Sequence, residues 1–314
     1  MSDEKEMYLW SENYRPHTVN DCILPPRLKT YFQAIVDKGQ LANMTLVGGP
    51  GTGKTTVARA MCEELKIDHI VINASENGNI ETIRTTVRQF ASTVSFGGGI
   101  KAIILDEADG LTKNAQQALR ASIEEFAGNC RFIFTGNFGN QIIEPLTSRA
   151  PIVEIVFSKE EKKALLMEFL KKVAGVLKSK GIAFTPEELT QVIVKNFPDF
   201  RKTWNLIQRY SANGSLEITS QTGINDGALK ELIDYLKGKK FGDMRKWVVD
   251  HLDNDAASLR RSLYEKMAVF VKPQSIPQLV LIIAEYDYKE GHVMDKEINT
   301  VAMLTTMMAD VEFV

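Results

Sequence analysis

Gly48-Gly49-Pro50-Gly51-Thr52-Gly53-Lys54-Thr55 meets every fixed position of the phosphate-cradling pattern G-x-x-x-x-G-K-[ST]. Its glycines let the backbone curl until several N–H groups point inward, and the following helix adds its positive N-terminal end. Lys54 then reaches for the β and γ phosphates, and Thr55 offers a hydroxyl to Mg²⁺. The same letters fit a mere glycine-rich turn before a helix, so the flanks decide. Residues 43–47 read as a buried strand leading in, and residues 56–65 carry helical spacing leading out. Strand, loop and helix in that order imply a nucleoside-triphosphate and Mg²⁺ site, with Gly51, Thr52, Gly53, Lys54, Thr55 and Thr56 around the phosphates.

Outward from this loop, apolar runs at 44–47, 69–72, 101–105, 131–135 and 152–157 alternate with helical stretches. That is the pattern of an α/β parallel sheet covered by helices on both faces, and it predicts a nucleotide-binding domain over 1–157. Ser158-Lys159-Glu160-Glu161 opens a helix with an N-cap serine and an acidic first turn, and Thr185-Pro186-Glu187-Glu188 opens another. A small helical domain over 158–224 follows, then an all-helical domain over 225–314 in which Met303, Met307 and Met308 read as core filler.

The 314 residues are 44% hydrophobic, enough for two or three cores. No run of eighteen apolar residues occurs, and the charged start Met1-Ser2-Asp3-Glu4-Lys5-Glu6 has no apolar segment behind it, so the expectation is a cytoplasmic protein without a membrane partner. Cys22, Cys62 and Cys130 form no C-x-x-C pair, which argues against a zinc site or a disulfide framework. A net charge of −2 leaves any nucleic-acid contact to a local basic surface.

Ile103-Ile104-Leu105-Asp106-Glu107 is an apolar strand ending in two carboxylates, where the second half of a phosphate-loop ATPase site belongs. Asp106 would hold Mg²⁺ through its water shell and Glu107 would act as general base on the attacking water. Asp106-Glu107-Ala108-Asp109 also spells the box of a class of RNA helicases, but those need two tandem motor domains, and no second strand-and-helix set follows residue 158. Asn137, at the tip of the strand 131–135, either orients the same water or is a turn residue. Arg149 is either a solvated charge or an arginine finger offered to a neighbouring subunit's γ-phosphate.

Together these residues resemble the AAA+ ATPases and, more narrowly, the sliding-clamp loader subunits of DNA replication, of the bacteriophage and replication factor C types. Trp10-Ser11-Glu12-Asn13-Tyr14-Arg15-Pro16-His17-Thr18 resembles their W-x-E-x-Y-R-P-x-T opening, which wraps adenine and ribose, with Ile23 as the apolar wall. Ile72-Asn73-Ala74-Ser75 resembles their N-A-S turn, and the segment from Leu111 to Arg120 with Glu124 resembles their L-T-x-x-A-Q-x-A-L-R helix. The resemblance implies Asn137 as first sensor, Ser148-Arg149 as the trans-acting finger, and Arg201 as second sensor in a pattern completed by Asn205 and Gln208. Gly242-Asp243-Met244-Arg245 fits the second-sensor spelling better, but Arg245 falls in the third domain, whereas Arg201 lies in the small domain that folds onto the nucleotide. Two departures stand out: Ala150 replaces the cysteine of the finger motif, and Gly78 and Asn79 occupy the region where the family carries a basic template-sensing residue.

The resemblance further implies binding to primer-template DNA without sequence preference, to a sliding clamp, to further copies of the chain and to a companion loader subunit. ATP binding would open the clamp and hydrolysis would release it on DNA. Arg84 and Arg88, four apart on one helix, and Lys113 and Arg120 on the next, are the DNA candidates; each could instead be a solvated surface charge. Phe96, in a glycine-rich turn, either plugs an apolar pocket of the clamp or is core. The rival functions are another DNA-dependent AAA+ motor, such as a helicase or branch-migration enzyme, and a non-catalytic structural subunit.

Overall fold

Alternation of side chains across a pleated strand, with apolar residues at both parities, requires cover on both faces. A computed structural model of the chain describes residues 8–75, 80–93, 99–216, 226–251 and 256–314. Phe96, Gly78 and Asn79 lie outside the described residues, as does the charged start at 1–6. The chain divides into two compact units, residues 1–217 and 218–314.

In the first unit, α1 (Trp10–Asn13) and α2 (Pro26–Asp37) precede β1 (Met44–Val47), α3 (Lys54–Glu64), β2 (His69–Asn73), α4 (Ile80–Ser92), β3 (Lys101–Asp106), α5 (Lys113–Glu125), β4 (Cys130–Gly136), α6 (Glu144–Thr147) and β5 (Ile152–Glu154). The last apolar run, expected over 152–157, ends as a strand at Glu154. All strand pairs are parallel, in the order β2-β3-β4-β1-β5. Ala102 and Ile104 of β3 face α2 and α3, in a core with Phe32, Leu46, Val57 and Met61. Ile103 and Leu105 face α4 and α5, in a core with Val87, Leu119, Phe132 and Phe134. This order places the C-terminal ends of β3, β4 and β1 side by side, the edge at which parallel sheets hold their ligands.

Three helices complete this unit: α7 (Lys159–Ser179), α8 (Pro186–Asn196) and α9 (Phe200–Tyr210). Ser158 with Glu161 and Thr185 with Glu188 form reciprocal capping boxes on α7 and α8, and the Asp199 side chain caps α9. Phe169 of α7 packs edge-on against Phe200 and Trp204 of α9, with ring centroids 4.9 and 5.8 Å away.

The second unit comprises α10 (Asp226–Lys237), α11 (Phe241–His251), α12 (Ala256–Phe270), α13 (Ile276–Glu290) and α14 (Lys296–Asp310). Met303, Leu304, Met307 and Met308 of α14 are buried at its centre with Leu232, Trp247, Leu263 and Leu279. Arg260 of α12 is buried, its Nε donating to Asp287 at 2.9 Å and its Nη1 to Glu290. No described helix is long and apolar enough to cross a membrane.

Candidate active site

Gly51 and Gly53 adopt φ of +68° and +92°, the left-handed region that side chains with a Cβ avoid, and so turn the loop between β1 and α3 back on itself. A Cβ on Gly51 would stand 1.8 Å from the Asp199 carboxylate, while the Gly51 carbonyl accepts from the Phe200 N–H at 3.0 Å. The phosphate loop is therefore docked directly on the N-terminus of α9. Lys54 opens α3 and turns its ammonium back along the loop, donating to the carbonyls of Gly48 at 2.9 Å and Gly49 at 2.8 Å and to Asn137 Oδ1 at 2.9 Å. Burial holds its pKa below the usual lysine value, opposed by the charges of Asp106 and Asp109.

Thr55 Oγ1 donates to Asp106 Oδ1 at 2.7 Å, and the hydroxyl of Thr135 donates to the same oxygen. A hydroxyl and a carboxylate at this spacing are the hard oxygen donors that Mg²⁺ takes beside a triphosphate, so the residues present fit the ion. Glu107 begins the turn after β3 with φ of +58°, and its carboxylate accepts from Ser75 Oγ of the turn after β2. Asp109 Oδ2 accepts from the backbone N–H groups of Asn137 at 2.8 Å and Phe138 at 3.0 Å, tying the β4 turn to the β3 turn.

Lys54, Thr55, Asp106, Glu107, Thr135 and Asn137 lie along one cleft of about 1060 Å³, open solvent at its mouth included. Ser11, Tyr14, Arg15, Ile23 and residues 51–56 line it, with Asp106, Glu107, Asn137 and Arg201. One wall of the cleft is aromatic: Tyr14 stacks on Trp204 with centroids 5.0 Å apart, and Trp10 meets both edge-on. Gln208 ties this wall to α9, its Oε1 accepting from the Trp10 N–H at 2.9 Å and its Nε2 donating to the Tyr8 carbonyl at 2.6 Å.

Glu12 and Asn13, read as nucleotide contacts, stand on α1 outside the cleft lining, where Glu12 holds Arg15 in an ion pair at 2.6 Å. Arg149 is also outside its own chain's cleft, next to α6. On α4 and α5, Arg84 lies 3.4 Å from Glu81, Arg88 3.2 Å from Glu125 and Arg120 3.4 Å from Glu124, while Lys113 is exposed. Sequence reading passed over Thr135, Asp109, Phe169, Lys172 and Trp204. A threonine near the end of the largely apolar β4 and a tryptophan in the polar-faced α9 were the available signals.

Residues 44–158 match the family described as "ATPase family associated with various cellular activities (AAA)". Over 99% of its length the chain is 32% identical to the "Sliding-clamp-loader large subunit" of Enterobacteria phage T4, covering 98% of that protein. The chain belongs to the clamp-loader family of AAA ATPases. A second phage member, the large subunit of Escherichia phage RB69, is 31% identical over 96% of both chains. The "Replication factor C small subunit" of Saccharolobus solfataricus is 33% identical over 69% of this chain and 66% of its own. Among solved structures, Thermotoga maritima RuvB shares the fold, with a TM-score of 0.52 at 18% identity, over 72% of this chain and 81% of that one.

Proposed function

We propose that the chain is an ATPase subunit of a DNA polymerase sliding-clamp loader. ATP binding by several copies, with a companion subunit, opens a clamp; hydrolysis triggered by primer-template DNA releases it there. Near-full-length identity to the phage T4 large subunit favours this reading over a helicase or branch-migration motor. The observation that carries its catalytic part is the Lys54, Thr55, Asp106, Asn137 constellation with Glu107 beside it.

In this reading the phosphate loop and Lys54 hold the triphosphate, and Thr55 with Asp106 holds Mg²⁺, which neutralises charge on the phosphate oxygens. Glu107 takes the proton of the attacking water, Asn137 orients that water, and Arg201 reports the γ-phosphate to α9. Arg149 serves the neighbouring copy's site. The helices over 158–224 act as a lid domain and 225–314 as an oligomerising collar, in the cytoplasm of the cell where replication runs. Arg84, Arg88, Lys113 and Arg120 meet DNA phosphates, the arginines exchanging their carboxylate partners for phosphate oxygens, so binding weakens steeply with salt.

Steady-state ATP hydrolysis by the purified chain tests this, alone and with primed DNA, a sliding clamp and a companion subunit. Strong stimulation only when DNA and clamp are both present is expected. Stimulation by DNA alone with strand unwinding would replace the loader by a motor, and nucleotide binding without turnover in any mixture would leave a structural subunit.

A further inference from the structure

Arg149 is 31% exposed, yet its guanidinium is folded onto its own chain. Nε donates to Glu124 Oε1 at 2.6 Å, and Nη2 stands 2.6 Å from the same oxygen. Nη1 donates to the Pro145 carbonyl at 3.0 Å and to Ser148 Oγ at 3.1 Å. A guanidinium has two edges that can each take an anion through paired N–H groups: the side edge of Nε with one Nη, and the end edge of the two Nη atoms. Here the side edge is given to a carboxylate, and the two neutral acceptors are both held by Nη1. A carboxylate adds the attraction of opposite charges to its hydrogen bonds and so holds the guanidinium more firmly than a neutral acceptor does. When a phosphate approaches from outside, the neutral contacts on the end edge are the ones it displaces, while the contact to Glu124 stays.

We infer that Glu124 is the positioning residue of the arginine finger: it grips the side edge of Arg149 and presents the end edge to the triphosphate of a neighbouring copy. The inference rests on the trans-acting role given to Arg149 above. Glu124 lies near the C-terminal end of α5, whereas Arg149 follows the short α6, so the bond spans two elements and fixes an otherwise long, rotamer-rich side chain before assembly. Arg120, 3.4 Å from the same Glu124 oxygen, stands one turn back on α5. Once Arg120 turns to a DNA phosphate, Glu124 is left to Arg149 alone, and the finger is held more firmly when DNA is in place.

The test is a double-mutant cycle in the fully assembled loader with DNA and clamp, using Glu124→Ala, Glu124→Asp, Arg149→Ala and the Glu124→Ala/Arg149→Ala pair. Glu124→Ala is expected to lower kcat roughly ten- to a hundredfold with the Kd for ATP of each subunit's own site unchanged. Glu124→Asp should recover part of that loss, and Glu124→Ala should cost nothing further once Arg149 is alanine. If Arg149→Ala alone leaves turnover intact, the finger role itself fails. If Arg149→Ala abolishes turnover but Glu124→Ala leaves it unchanged, raises it, or lowers it equally in the Arg149→Ala background, the finger stands and the positioning role is overturned. Thermal melting of each variant chain checks that the exposed Glu124 has not altered folding.

Discussion

At the scale of single residues, Glu107 is held by one short contact to Ser75 and stands on a turn that its own left-handed backbone creates. Glu107→Gln keeps the size and the hydrogen bond but cannot accept a proton. ATP binding should therefore persist within about twofold while turnover falls by at least ~100-fold, as single-turnover and equilibrium-binding measurements would show; unchanged turnover would remove Glu107 from the reaction. The three cysteines behave differently, because each thiol is buried. Burial pushes Cys22 and Cys62 from 9.0 up to about 12 and Cys130 up to about 11. In the unfolded chain the same thiols ionise near 9, so above that pH the native state binds more protons than the unfolded one. Stability is thus unaffected by these groups below pH 8 and declines as pH climbs from about 9 toward 11 to 12. Iodoacetamide should leave all three unmodified in the native protein at pH 8, and Cys62→Ala should flatten the alkaline fall of the urea midpoint.

Among elements, the junction of the phosphate loop with α9 is the tightest. Gly51 combines a left-handed φ with a Cβ position that the Asp199 carboxylate and Cα already fill. Gly51→Ala therefore pushes Asp199 off the N-terminus of α9 or distorts the loop, and ATP affinity is expected to drop at least tenfold with a loss of about 1 to 3 kcal/mol in stability. Calorimetric titration with a non-hydrolysable ATP analogue measures the first and urea unfolding the second. Unaltered affinity would mean that α9 and the loop are not coupled. The loop itself was legible in the sequence because all its determinants sit in eight consecutive residues. The same holds for Asp106 and Glu107 at the end of an apolar strand. Gln208 illustrates what was not legible as geometry: its partners, Tyr8 and Trp10, lie some two hundred positions away and are joined to it through backbone atoms that any residue would supply. Thr135, Asp109 and Ser75 stayed hidden for the same reason, since each serves a neighbouring strand's turn. For Glu12, whose carboxylate turns to Arg15 at 2.6 Å, the motif gives proximity along the chain and not which way a helix faces.

For the molecule as a whole, the second unit rests on an apolar helical core against which the buried Arg260 pairs with Asp287 and Glu290. Replacing Arg260 by methionine leaves the largely buried Glu290 with, among the described residues, only Lys296, 3.9 Å away, to balance it. A cost of about 3 kcal/mol is expected, seen as a lower urea midpoint, and Arg260→Met/Glu290→Leu should recover much of it. A loss confined to background scatter would show that the cluster is solvated in solution. The first unit supplies a different kind of control, through Lys54. All three of its N–H bonds are already committed, two to the loop's own carbonyls and one to Asn137. An anion that reaches Lys54 must break one of them, and a small one spans too little of the cleft to meet loop, lysine and Thr55 together. A polyphosphate spans loop, lysine and threonine at once and recovers several. The loop therefore measures how long the anion is and not merely how charged, and free orthophosphate, abundant wherever ATP is turned over, is a poor competitor for its place.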